Sequence, residues 1–164
     1  MDNTVITPIY FGSDKWAYLN EKGEPLCQNY FKYAEPFSEG FGSVIDFDDK
    51  KYFINDKGER VFGIYDDLRA FREGYAVVGI YDNTKGKIQY NYINHNGEFL
   101  SERFFDNARP FEHGFGLVFD FDKAYNFIDG DGELLSNKYW FDTTAASMMK
   151  SCLSHIGQNN NNNK

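Results

Sequence analysis

Lys51-Tyr52-Phe53-Ile54-Asn55-Asp56-Lys57-Gly58-Glu59 has three counterparts elsewhere in the chain. It aligns without gaps with Trp16–Glu24 (WAYLNEKGE), Tyr90–Glu98 (YNYINHNGE) and Tyr125–Glu133 (YNFIDGDGE). The third position is always Tyr or Phe and the fourth always Leu or Ile. The fifth is Asn or Asp, and Gly-Glu closes all four. The glycines Gly23, Gly58, Gly97 and Gly132 lie 35, 39 and 35 residues apart. Self-similarity at such a period marks a repeat architecture, in which one unit alone cannot bury its apolar face.

Two further elements recur in register. A connector reads Phe31–Gly40 (FKYAEPFSEG), Tyr65–Gly74 (YDDLRAFREG) and Phe105–Gly114 (FDNARPFEHG). Directly after it come Phe41–Asp48 (FGSVIDFD), Tyr75–Asp82 (YAVVGIYD) and Phe115–Asp122 (FGLVFDFD). These aromatic and β-branched runs, bounded by Asp, Asn and Gly, read as short strands. We label the Phe41–Asp48 type strand A and the Lys51–Asn55 type strand B. Strand C runs through Arg60–Phe62 and its equivalents. Gly in the B–C step supplies the positive φ of a hairpin turn. Thr4–Phe11 is an eroded strand A, so the order A-B-C-connector runs four times. Each unit is predicted to be a three-stranded antiparallel meander, marginal alone and stable when stacked.

The pattern breaks after the fourth strand C. Ala145, Met148, Met149, Cys152, Leu153 and Ile156 share one helical face. Asp142, Thr143 or Thr144 can cap its start, and Gly157 stands where a helix ends. The spacing predicts a helix over 144–156 that seals the end of the stack, so that truncation after Asp142 would destabilise the protein and truncation after Gly157 would not. Residues 158–164, with five consecutive Asn, are expected to be a disordered tail. The expected fold is thus an all-β repeat protein in one domain, 1–157. Four stacked meanders, roughly 4–30, 41–64, 75–104 and 115–140, make an open β-solenoid with a C-terminal capping helix. A closed propeller is the alternative, disfavoured because propeller blades usually carry four strands.

Composition bounds the partners. The 164 residues hold 17 Lys plus Arg against 25 Asp plus Glu, a net charge of −8. Such a chain repels nucleic-acid phosphates and anionic lipid, so neither nucleic acid nor membrane is expected as a partner. Aromatic residues make up 19% of the chain, far too many for a disordered protein. No run approaches the roughly 18 apolar residues of a membrane span, and the N-terminus has no signal-peptide pattern. A cytoplasmic location is expected, with export by a route lacking an N-terminal signal left open. Two cysteines, Cys27 and Cys152, form no disulfide framework.

The repeat resembles the WG-repeat family, the WG containing repeat, with its Lys-Trp-Gly-Tyr-Ile-Asn core and Phe-Asp-x-Ala-x-x-Phe-x-Glu-Gly connector. Lys15-Trp16-Ala17-Tyr18-Leu19-Asn20 carries the core. Phe31, Ala34, Phe37, Glu39 and Gly40 carry the connector, as do Phe105, Asp106, Ala108, Phe111 and Gly114. The resemblance spans roughly residues 9–145. The repeats are divergent. The Trp is kept only at Trp16, its equivalents being Lys51, Tyr90 and Tyr125, and His113 stands for the connector Glu. The resemblance implies a β-repeat binding surface rather than a chemistry.

Candidate binding residues follow from the repeat. Trp16, Tyr90 and Tyr125, interrupted by Lys51, form either packing between units or an exposed aromatic ladder for sugars or extended peptides. Glu24, Glu59, Glu98 and Glu133 form either an acidic row for basic partners or a brace for each unit's own turn. Phe37, Phe71 and Phe111 are expected in the core. Gly42, Ala76 and Gly116 are small because a neighbouring unit's aromatic ring covers them. Asp129–Glu133 lacks the third ligand and flanking helices of a calcium loop, and His95, His113 and His155 have no zinc spacing. No catalytic motif, metal site or cofactor is expected, and the chain is read as a non-enzyme. The expected function is a non-catalytic module binding a basic protein through an aromatic and acidic face. A carbohydrate or cell-wall binding module is the alternative. A hydrolase using a carboxylate pair without a local signature is the second.

Overall fold

The computed structural model describes residues 6–135 and Tyr139. The predicted helix over 144–156, the tail over 158–164 and the start of the first strand lie outside the described residues. Within them the regular structure is all strand. β1 (Thr7–Tyr10) and β2 (Trp16–Leu19) form the first sheet. The second holds β3 (Tyr33–Ala34), β4 (Gly42–Ile45), β5 (Lys51–Ile54) and β6 (Arg60–Tyr65). The third holds β7 (Asp67–Leu68), β8 (Ala76–Asp82) and β9 (Lys87–Ile93), and the fourth β10 (Asn107–Ala108), β11 (Gly116–Asp120) and β12 (Ala124–Ile128). Every pairing is antiparallel and neighbours follow sequence order. Among the described residues no sheet closes into a barrel.

The B–C turns form for one repeated reason. The Asn55 side-chain oxygen accepts the N–H groups of Lys57 and Glu59, both at 3.0 Å. Asn20, Asn94 and Asp129 do the same in the other units. This Asx turn sets the chain reversal, and Gly23, Gly58, Gly97 and Gly132 complete it at φ of 75–82°. The connectors are clamped similarly. Glu39 accepts the Gly74 N–H at 2.9 Å, and Glu73 accepts those of His113 and Gly114 at 2.8 and 2.7 Å.

The meander departs from the three strands expected. The connector supplies a two-residue strand, β3, β7 or β10, that pairs with strand A, so the second sheet begins at Tyr33 rather than Phe41. Among the described residues strand C is regular only as β6. In the first unit it reduces to the bridges Leu19–Pro25 and Trp16–Phe31, and in the third to Ile93–Phe99 and Tyr90–Phe105. The reason is length. The bridged positions are three residues apart on strand B but six apart on strand C, so the excess loops out of the ladder. The second unit has one residue fewer between them. It absorbs the excess as a bulge opposite Lys51 and Phe53, with Phe62 at φ 61°. β6 ends at Tyr65 and β7 opens at Asp67, so the chain passes from one sheet into the next within a single residue.

Three hydrophobic clusters each draw on two successive sheets. Tyr18, Phe31, Ala34, Val44 and Ile54 join the first and second. Phe53, Tyr65, Phe71, Val78 and Ile93 join the second and third. Tyr92, Phe105, Ala108, Phe111, Val118 and Ile128 join the third and fourth. The same repeat positions recur in each, because neighbouring residues of strand B face opposite sides of a sheet covered on both. Phe71 and Phe111 are buried, as expected; Phe37 is half-buried against the first cluster.

Candidate functional site

Each A–B hairpin ends in a tip at the same end of its unit's strand B, and the third and fourth tips line one cleft. The seventh side chain of each strand-A run there is aromatic and exposed. Phe47 is 55% exposed, Tyr81 48% and Phe121 79%. They hold equivalent positions in the second, third and fourth units. Tyr10 and Phe11 are exposed at the first tip, where Phe11 meets Tyr30 edge-on at 5.9 Å. The backbone behind these rings is fixed. Asp66 accepts the Tyr81 N–H, and Asp106 accepts the Phe121 N–H, both at 2.7 Å. At the second tip Lys32 pairs with Asp49, while Asp46 caps the N–H groups of Asp48 and Lys50.

The third hairpin is longer than the others. Its strands have seven residues each, against four in the second sheet and five in the fourth. The added length projects beside the fourth tip and opens a cleft of about 1000 Å³. A hydrogen-bonded network lines it. Lys87 pairs with Asp106 at 2.6 Å, and Gln89 donates to the same oxygen at 2.6 Å. Lys85 donates to the Gln89 side-chain oxygen at 2.6 Å. Burial works to raise the Asp106 pKa. The hydrogen bonds from Lys87, Gln89 and the Phe121 N–H outweigh it and hold the carboxyl down at about 2. Arg103 pairs with Asp120, and its guanidinium lies 5.2 Å from the Phe105 ring and 5.7 Å from that of Tyr139.

The residues singled out from the sequence fall elsewhere. Trp16, Tyr90 and Tyr125 stand at the tip end of strand B but are half-buried. Trp16 packs on Tyr10 and Tyr33, with ring centroids 5.1 and 5.8 Å apart. The Tyr90 hydroxyl donates to Asp67 at 3.2 Å, and Tyr125 packs on Phe119 at 4.9 Å. Lys51, in the same row, donates to the Asp66 carbonyl at 2.9 Å. Glu24, Glu59, Glu98 and Glu133 sit at the opposite end of strand B, roughly 13 Å of extended chain away. The aromatic and acidic rows therefore occupy opposite edges. Glu24, Glu59 and Glu98 each accept a hydrogen bond from the side-chain amide of the turn Asn at 2.8–2.9 Å. The amides of Asn94 and Asn96 hold the Glu98 carboxyl below its ordinary pKa.

Sequence reasoning missed the exposed row and the cleft, and both left a signal. Phe47 and Phe121 lie inside the Asp-Phe-Asp runs at the ends of strand A, hydrophobic residues where a strand meets solvent. The cleft follows from the single 39-residue interval among intervals of 35.

Residues 53–83 and 92–120 match the family model of the WG containing repeat. These two stretches are similar to that family, in agreement with the resemblance drawn from Trp16, the connectors and the Gly-Glu turns. Each stretch runs from strand B of one sheet through the connector into strand A of the next. The family's sequence unit accordingly straddles two sheets. Residues 84–91, which hold most of the third tip and the first part of β9, fall between the matched stretches. No curated protein matches the chain.

Proposed function

We propose that the chain is a non-catalytic binding module, built as an open stack of four small sheets, that docks a protein partner along the hairpin-tip edge. The observation that carries this reading is the row Phe47, Tyr81 and Phe121, exposed at equivalent positions of successive units. Among the described residues, none of the three core clusters includes these rings. Aromatic residues are enriched at the cores of protein interfaces. Their backbone is already held at Tyr81 and Phe121, which reduces the ordering cost of binding. The open stack is supported by clusters that each join consecutive sheets. A net charge of −8 steers a basic partner toward the molecule.

The test is a variant with Phe47, Tyr81 and Phe121 all changed to Ser, compared with wild type in affinity capture and in thermal unfolding. The expected result is an unchanged melting temperature with loss of the captured partner. Capture that survives the triple change would move the docking surface off this edge.

A further inference from the structure

We propose that the cleft between the overhanging third hairpin and the fourth hairpin is a binding site for an uncharged oligosaccharide. This goes beyond the protein-docking reading and does not depend on it. Three observations converge.

The first is the origin of the cleft. What every unit needs for its own fold is repeated in every unit. Among the described residues the longer β8–β9 hairpin occurs once, lies partly outside both family-matched stretches, and places none of residues 79–89 in a hydrophobic core cluster. Its effect is to wall a cleft of about 1000 Å³, at the upper end of the roughly 300–1000 Å³ usual for small-ligand pockets.

The second is the balance of hydrogen-bonding capacity. Of the four carboxylates lining the cleft, Asp106 is occupied on both oxygens, whereas Asp120 and Asp82 are each occupied on one. Asp106 accepts from Lys87, Gln89 and the Phe121 N–H. Asp120 takes Arg103 and the Tyr139 hydroxyl. Asp82 accepts from the Thr84 hydroxyl and the N–H groups of Thr84 and Lys85. Among the described residues the donors also keep capacity to spare. An ammonium carries three N–H groups and a guanidinium five. Lys85 gives one to Gln89, Lys87 one to Asp106, and Arg103 is held on one side by Asp120. Lys123 faces the Tyr139 ring at 5.9 Å. Free donor N–H groups therefore lie beside free carboxylate oxygens, which suits a ligand of many hydroxyls, each able both to accept and to donate.

The third is charge. Lys85, Lys87, Arg103 and Lys123 face Asp82, Asp106, Asp120 and Asp122, so the lining is neutral in sum. A site for phosphate, sulfate or uronate would carry a cationic excess; this one does not. Hydroxyl and ring oxygens supply acceptors without charge. Tyr81 and Phe104, which also line the cleft, offer apolar surface for the C–H faces of a sugar.

The experiment is calorimetric titration of the full chain with cellohexaose, maltohexaose, chitohexaose and mannohexaose, and with oligogalacturonate as the charged control. We expect one of the neutral hexamers to bind, with an affinity nearly independent of salt. Changing Lys85 and Lys123 together to Ala should weaken it by about tenfold or more, with an unchanged melting temperature. Changing Phe47 and Phe121 to Ser should leave it intact, which separates this site from the protein-docking edge. Failure of all four neutral hexamers overturns the proposal. So does binding unaffected by the Lys85 and Lys123 changes, or preference for oligogalacturonate with steep salt dependence.

Discussion

Tyr18 and Tyr92 hold equivalent places on strand B, and each lays its hydroxyl over a glycine of the next unit. The Tyr18 hydroxyl donates to the Glu35 carbonyl at 2.6 Å, and that of Tyr92 to the Arg109 carbonyl at 2.7 Å. Burial pushes both phenol pKa values up. A Cβ at Gly42 would stand 2.8 Å from the Tyr18 oxygen, and one at Gly116 2.4 Å from that of Tyr92. Between the second and third units the ring is Phe53, which has no hydroxyl, and the residue opposite is Ala76, fully buried. Ring and small residue are thus matched pair by pair. Gly116→Ala should cost about 1–3 kcal/mol through overpacking. Tyr92→Phe should cost about 1 kcal/mol through the lost hydrogen bond. In the Tyr92→Phe background, Gly116→Ala should cost less, because the hydroxyl at 2.4 Å is gone and the ring, no longer tethered to the Arg109 carbonyl, is free to yield its Cζ at 2.5 Å. A double-mutant cycle by urea unfolding measures this coupling, and simple additivity would refute it.

The turn and the hairpin tip carry their own predictions at the scale of the element. Three turns pair an Asn amide with the closing Glu, but the fourth has Asp129, which accepts from Asp131 and Glu133 N–H groups and has no amide to donate. Asp129→Asn keeps the accepting oxygen and adds the donor that the other turns possess. It should raise stability by about 0.5–1 kcal/mol, read as a higher urea midpoint at unchanged slope. At the third and fourth tips Asp106 is the keystone. Its folded pKa of about 2 lies below the ordinary 3.8. The unfolded chain therefore binds the proton first as pH falls. The contribution of this carboxylate is complete above about pH 4 and disappears as pH drops through about 2. Asp106→Asn should give a melting temperature less dependent on pH across that window than wild type. Equal slopes would show that the network does not hold the acid. The turns were legible in the sequence because Asn, Gly and Glu act on backbone groups a few residues away. The connector strand was not, because Tyr33–Ala34 and Asn107–Ala108 are two-residue segments whose pairing depends on a strand about ten residues further on. The reduced strand C was hidden for the same reason. Whether its length matches strand B becomes visible only when the bridged positions are known. The acidic row was found as a pattern, but its hydrogen bonds to Asn20, Asn55 and Asn94 needed geometry.

At the scale of the whole molecule, cohesion passes from sheet to sheet through three clusters of matching residues. Val44, Val78 and Val118 are the equivalent strand-A residues in them, each at most 1% exposed. Shortening any of the three to Ala removes the same atoms from a similar environment, so the local loss should be about 2 kcal/mol at each site. The consequences should differ with position. In a chain of units coupled only to neighbours, stability is the sum of unit terms and interface terms. Val44→Ala weakens the link between the two-stranded first sheet and the remainder. The first sheet has the least pairing of its own and should open separately. Hydrogen exchange should then speed up at the β1–β2 amides while those of β8 and β9 keep their protection. Val78→Ala weakens the central interface, where the longest ladder, β8–β9, meets the second sheet. Here opening has no small end unit to release, so protection should fall in the second and third sheets together. Amide exchange followed residue by residue in the two variants distinguishes the cases. If Val44→Ala lowers protection uniformly through all four sheets, the molecule unfolds as one cooperative body and the nearest-neighbour account is wrong.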